Sequence, residues 1–279
     1  MKYLIFGKGY VANKFLQFLG EESIISDLRL EDYSAIQNEL EKEKPDVVIN
    51  CAGKTGRPNV DWCEDNKGET LKVNVGGAIN AMQAALEVGA YPIQIASGCI
   101  YSGGPEKQFT EEDPPNFFNS FYSRMKVVMQ EALKELPVLQ LRIRMPLSRF
   151  SHPRNLINKI TAYQKVISVP NSVTLVEDLW PALEKLAELR LTGILNLTNE
   201  GYLEHAQILQ AYKKIVNPKH YYQPISLEEL QGKGGITKAE RSNCVLSIVK
   251  AKSLGLSLPV IDDLRLAEIM RDFKDSISA

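Results

Sequence analysis

Histidine is scarce in this chain, at three residues (His152, His205 and His220) set far apart, and cysteine is little commoner, at four (Cys51, Cys63, Cys99 and Cys244). The cysteines are irregularly spaced and no two form a CxxC pair, so neither a zinc site nor a disulfide framework is expected, and reduced thiols are. The histidines read as exposed or structural, and no metal is expected. No apolar run approaches the roughly 18 residues of a membrane span, and the opening KYLIF stops at a glycine turn, too short for a signal-peptide core. Nor is there an excess of either charge: 33 Lys+Arg stand against 34 Asp+Glu, a formal net charge of −1. That excludes nucleic acid and membrane surface as expected partners, and the run Glu41–Lys44 mixes signs like the solvated end of a helix. The expected location is cytoplasmic.

What is present is ordinary: 279 residues, 44% hydrophobic and 24% charged, enough for one large or two modest domains. Short apolar runs at 2–6, 23–26, 46–50, 92–97 and 138–146 alternate with helical patterns such as 34–44 and 69–88. Strand, helix, strand in this order implies a parallel, doubly wound sheet, because each crossover helix must cover a sheet face. After Pro146 the pattern loosens. VISVP at 166–170 and ILNLT at 194–198 read as two further strands returning to the sheet, framed by helices at 177–190 and 203–216, with a last helix at 261–273. The expected division is therefore a nucleotide-binding domain of residues 1–148, with 164–200 returning to its sheet, and a smaller C-terminal α/β substrate-binding lobe of 149–163 and 201–279.

The first strand runs into Gly7-Lys8-Gly9-Tyr10-Val11-Ala12, a G-x-G-x-x-A pattern opening a helix. Gly7 permits the tight turn, Gly9 lets backbone approach a pyrophosphate, and Ala12 lets the helix pack on the strand, the marks of a Rossmann-type dinucleotide site. The helix N-terminus adds free N–H groups and a positive dipole. After the second strand come Asp27, suited to a ribose 2′-hydroxyl, and Arg29, suited with Lys8 to a 2′-phosphate, so both NAD and NADP stay open. Cys51-Ala52-Gly53, after the third strand, leave room for adenine and ribose.

The fourth strand ends at Ser97, and Tyr122 and Lys126 follow on a helix at i and i+4, projecting from one face. A nearby ammonium can lower the phenol from its usual value of about 10, and such a tyrosine can give a proton to a carbonyl oxygen as its carbon is reduced. Ser97, at the carboxyl end of a parallel strand, can bond the same oxygen.

This trio resembles the short-chain dehydrogenases, and the long second lobe with Val176-Glu177-Asp178 resembles their extended branch. GRPNVDWCE at 56–64, SGCIY at 97–101, PNFFNSFYSRMK at 115–126, RIRMPLS at 142–148, PRNLINKI at 153–160, PNSVT at 170–174 and RSN at 241–243 resemble a narrower group, the bifunctional 3,5-epimerase/4-reductases that complete UDP-rhamnose synthesis. More distantly the chain is similar to dTDP-4-dehydrorhamnose reductase. The resemblance implies epimerisation at C3 and C5 of UDP-4-keto-6-deoxy-glucose (or the dTDP analogue), then reduction of the C4 ketone, with NADPH as cofactor and NADH as the alternative. It implies an acid/base pair, Cys99 and Lys159, and substrate contacts from Arg57, Asn59, Asn116, Phe118, Arg154, Asn155, Asn171, Arg241 and Asn243. The partners implied are a separate 4,6-dehydratase that supplies the keto sugar and a second copy of the chain in a homodimer. Two alternatives stay open: a 4-reductase without epimerase activity, and a reductase-like binding subunit without catalysis. The chain departs from the group in its shorter glycine turn and in Ser97, where threonine is more usual.

Overall fold

A computed structural model of the chain describes residues 1–278 apart from 16, 17, 19, 22, 232 and 233. Its centre is a six-stranded sheet of β1 (Tyr3–Phe6), β2 (Ile24–Ser26), β3 (Val47–Asn50), β4 (Tyr91–Ser97), β5 (Leu139–Ile143) and β6 (Gly193–Asn196). The spatial order is β6-β5-β4-β3-β1-β2, with every neighbouring pair parallel. Successive side chains point to opposite faces, so β1 divides between two cores. Tyr3 and Ile5 pack with Ala12, Phe15 and the Leu179–Leu189 helix, whereas Leu4 and Phe6 pack with the helices Tyr33–Glu43, Ala78–Glu87 and Phe121–Leu133. Burial on both faces is why β1 and β3 as far as Ile49 are apolar rather than alternating.

Three expectations are corrected. The run at 166–170 does form a strand, Lys165–Ile167, but it pairs with Gln223–Ile225 outside the central sheet. Val166 enters a third core with Leu147, Ile157, Ile160, Leu209 and Phe273, and an apolar run does not say which core will bury it. Among the described residues of 164–200, those from Val176 to Leu197 supply the part that joins the first core, so the expected return of 164–200 starts too early. The helix expected at 69–88 runs without a break from Lys67 to Glu87, with a π-helical turn inside it at Lys72–Gly77. The lobe is also less separate than expected, since Ala251, Leu256 and Leu258 join the first core.

Candidate active site

The carboxyl ends of the central strands and the lobe enclose a cavity of about 870 Å³, within the range of small-molecule and cofactor sites. Its floor starts at the glycine turn. Gly7 has φ +93°, and a Cβ there would lie 2.7 Å from the Ala52 nitrogen, so only glycine lets β1 and the loop after β3 come this close. A Cβ at Gly9 would meet nothing within 4 Å, which leaves backbone open to a pyrophosphate ahead of the helix that begins at Tyr10. Gly9, Tyr10, Val11, Cys51, Ala52 and Gly53 all line the cavity. Lys8, Asp27 and Arg29 stand outside it: Lys8 and Asp27 form an exposed ion pair at 3.6 Å, and Arg29 reaches Glu31 at 3.3 Å. A dinucleotide fits this cradle.

Ser120 caps the next functional helix, Phe121–Leu133, by accepting from the Ser123 N–H. Ser123 Oγ donates to the Cys99 carbonyl at 2.6 Å, fastening the end of β4 to that helix. Ser97 Oγ accepts from the Cys99 N–H at 3.1 Å and lies within hydrogen-bonding reach of Tyr122. The Lys126 ammonium lies 5.9 Å from the Tyr122 ring centre. Both side chains are buried, and burial sets their protonation. It pushes the Tyr122 phenol up, with Cys99 adding to the rise and Ser97 opposing it, and it pulls Lys126 down to about 8. The expected lowering of the phenol by the ammonium is not found: removal from water raises the phenol, and Ser97 and Arg144 are what oppose the rise. A phenol held neutral is the form that donates a proton to a ketone.

The short helix Leu156–Thr161, capped by Asn155, brings Lys159 to the same cavity. Burial lowers the Lys159 ammonium, Arg154 adds to the effect, and Cys99 opposes it. Arg154 donates to the Gly56 carbonyl at 2.6 Å, and Arg241 pairs with Asp61 at 2.9 Å. Both guanidiniums line the cavity, as do Asn59 and Asn243.

The remaining expected substrate residues lie elsewhere. Arg57 and Phe118 are exposed outside the lining, and Asn116 closes a loop on the Ser102 backbone. Asn155 is fully buried and holds the Ser148 and Phe150 carbonyls, while Asn171, 1% exposed, accepts from Arg144. These two asparagines are scaffolding, because their amides are consumed inside the protein. Several neighbours of the site went unnoticed in the sequence. Asn74, on the π-helical turn, holds the loop after β3 by bonding both backbone groups of Lys54; His205 and Tyr163 line the cavity; and Arg144 touches Cys99. An asparagine set between Val73 and Val75 was the available signal for Asn74.

Residues 1–181 match the model of the RmlD substrate binding domain family. The chain is 41% identical over 263 residues to the bifunctional dTDP-4-dehydrorhamnose 3,5-epimerase/dTDP-4-dehydrorhamnose reductase of Arabidopsis thaliana, covering 90% of this chain and 86% of that one. It is similar to the crystal structure of the UDP-rhamnose synthase of Acanthamoeba polyphaga mimivirus, with a TM-score of 0.89, 33% identity, and coverage of 98% and 99%. It shares its fold with dTDP-4-dehydrorhamnose reductase of Bacillus anthracis, solved in complex with NADP, at a TM-score of 0.82, 20% identity and 98% coverage of both chains.

Proposed function

This chain belongs to the family of the RmlD substrate binding domain, and on that premise we propose that it makes UDP-L-rhamnose, by 3,5-epimerisation of UDP-4-keto-6-deoxy-glucose and then reduction of the C4 ketone. The observation that carries the reading is that Ser97, Tyr122 and Lys126 share one cavity with Cys99 and Lys159. The keto sugar comes from a separate 4,6-dehydratase.

The residues divide the work by position. Arg154 and Arg241 are suited to the diphosphate, because a guanidinium fork engages two oxygens. Cys99 and Lys159 approach the sugar from the sheet wall and the lobe wall, so one takes a proton at C3 or C5 and the other returns one to the opposite face. The ketone acidifies both positions, and the enolate oxygen rests on the hydroxyls of Tyr122 and Ser97. Bound NADPH supplies the reducing equivalents at C4. Tyr122 then protonates the C4 oxygen, Ser97 keeps that oxygen in place, and Lys126 refills the tyrosine.

The test is incubation with UDP-4-keto-6-deoxy-glucose and NADPH in deuterated water, with the product read by NMR. The expected product is rhamnose carrying deuterium at C3 and C5. NADPH oxidation that requires an added epimerase would reduce the assignment to a 4-reductase; absence of NADPH binding would overturn it altogether.

A further inference from the structure

Arg144 follows β5 beside the cavity and is 1% exposed. Its guanidinium meets only neutral partners. Nε donates to Asn171 Oδ1 at 3.0 Å and Nη2 to the same oxygen, Nη2 donates to the Ser242 carbonyl at 2.6 Å, and Nη1 donates to Ser242 Oγ at 3.2 Å. The remaining contact is Nη1 to Cys99 Sγ, at 3.3 Å. Among the described residues, carboxylates pair with Arg29, Arg124, Arg149, Arg241 and Arg265, and none pairs with Arg144. Arg142, equally buried two residues earlier, has Glu111 and Glu112 close enough to act on it.

A buried cation without a counter-charge is costly, and arginine cannot escape the cost by losing its proton. Arginine also has no acceptor atom, so a contact between its N–H and sulfur gains most when the sulfur carries charge. We propose that Arg144 is a positioning residue that holds Cys99 as its thiolate counter-ion, so that this sulfur is the base of the epimerisation and Lys159 the acid. The proposal rests on the epimerase reading above. The thiolate takes the proton from carbon, the C–H electron pair moves into the enolate, and the Lys159 ammonium delivers a proton to the other face as the pair returns. No oxidant is needed, and one proton passed back to Lys159 restores the start.

The surroundings agree. Lys126 and Tyr122 act on Cys99 from the helix Phe121–Leu133, Lys159 from Leu156–Thr161, and Cys244 from the lobe. Burial pushes Cys244 up to about 11 and raises Tyr122, so both stay neutral. His205 sits near Arg144, and burial together with that guanidinium drops its imidazole to about 4, so it adds no charge near neutrality. Cations therefore gather on one sulfur while its acidic neighbours keep their protons.

The experiment follows iodoacetamide alkylation of the Cys99 peptide in the intact chain against pH, by mass spectrometry. Arg144→Gln is expected to slow alkylation at pH 7 by ~100-fold and to move its midpoint upward, while Arg144→Lys keeps most of the wild-type rate. With the keto sugar in deuterated water, Arg144→Gln is expected to slow C3 and C5 exchange by ~100-fold but reduction of the already epimerised ketone by less than ~3-fold. A wild-type midpoint at or above the ordinary thiol value overturns the proposal without any variant, so misfolding of Arg144→Gln does not shelter it. An unchanged midpoint in that variant overturns it too. A low midpoint without sugar exchange in the wild type overturns the epimerase reading and upholds the ion pair.

Discussion

Lys126 and Lys159 line one cavity from two bodies, and they obtain their partners in different ways. Lys126 sits on a thirteen-residue helix packed on the central sheet, one turn from Tyr122, so the rise of that helix sets their separation. Lys159 sits on a six-residue helix of the lobe, while Cys99 lies two residues beyond the end of β4. Their separation depends on how the third core, built around Ile157, Ile160 and Leu209, seats against the sheet. Reduction geometry is therefore local, and epimerisation geometry is tertiary.

The largest expected effect tests the local half. Tyr122→Phe removes the proton donor and is expected to cut NADPH-dependent reduction by ~10³-fold, measured by NADPH absorbance with an already epimerised ketone. A loss under tenfold would mean the donor lies elsewhere. Cys99→Ala is expected to slow exchange at C3 and C5 by ~10²-fold with reduction of that ketone within a few-fold. Equal losses in both reactions would erase the distinction between the two halves.

The third prediction concerns Lys126 alone. Its folded value of about 8 lies below the unfolded value near 10.5, so between those limits the unfolded chain binds more protons. Stability due to this residue therefore rises with pH across that window, by up to about 1.4 kcal/mol per unit. The measurement is urea unfolding at several pH values from 7.5 to about 10, comparing wild type with Lys126→Met, in which this rise should vanish. Identical slopes in the two proteins would contradict the burial assigned to Lys126. The smallest effect probes the seating of the lobe: Ile157→Val, at a fully buried site, is expected to cost about 1 kcal/mol of stability and to slow exchange more than reduction.

The same contrast explains what could be read from the sequence. Strands buried on both faces announce themselves as apolar runs, and Tyr122 and Lys126 announce themselves by spacing, since both signals are local. Val166 gave the same signal as a central strand and was buried by a different core. Asn155 and Asn171 were read as substrate ligands because an amide in a familiar stretch does not show which way it points, and here both point inward. Arg144 was invisible for the opposite reason. An arginine after a strand usually reaches solvent, and only the tertiary structure turns this one onto a sulfur.

The contribution of Ala251, Leu256 and Leu258 to the first core bears on how the protein is made. Most of that core is complete by β6, yet part of its apolar surface waits for residues synthesised some sixty positions later, at roughly 5–20 residues per second. The nucleotide-binding body thus leaves the ribosome unfinished, and a chain stopped before Ala251 would expose the surface that this last segment covers. The protein should melt in one transition rather than two, because the final stretch of chain is a shared part of both bodies.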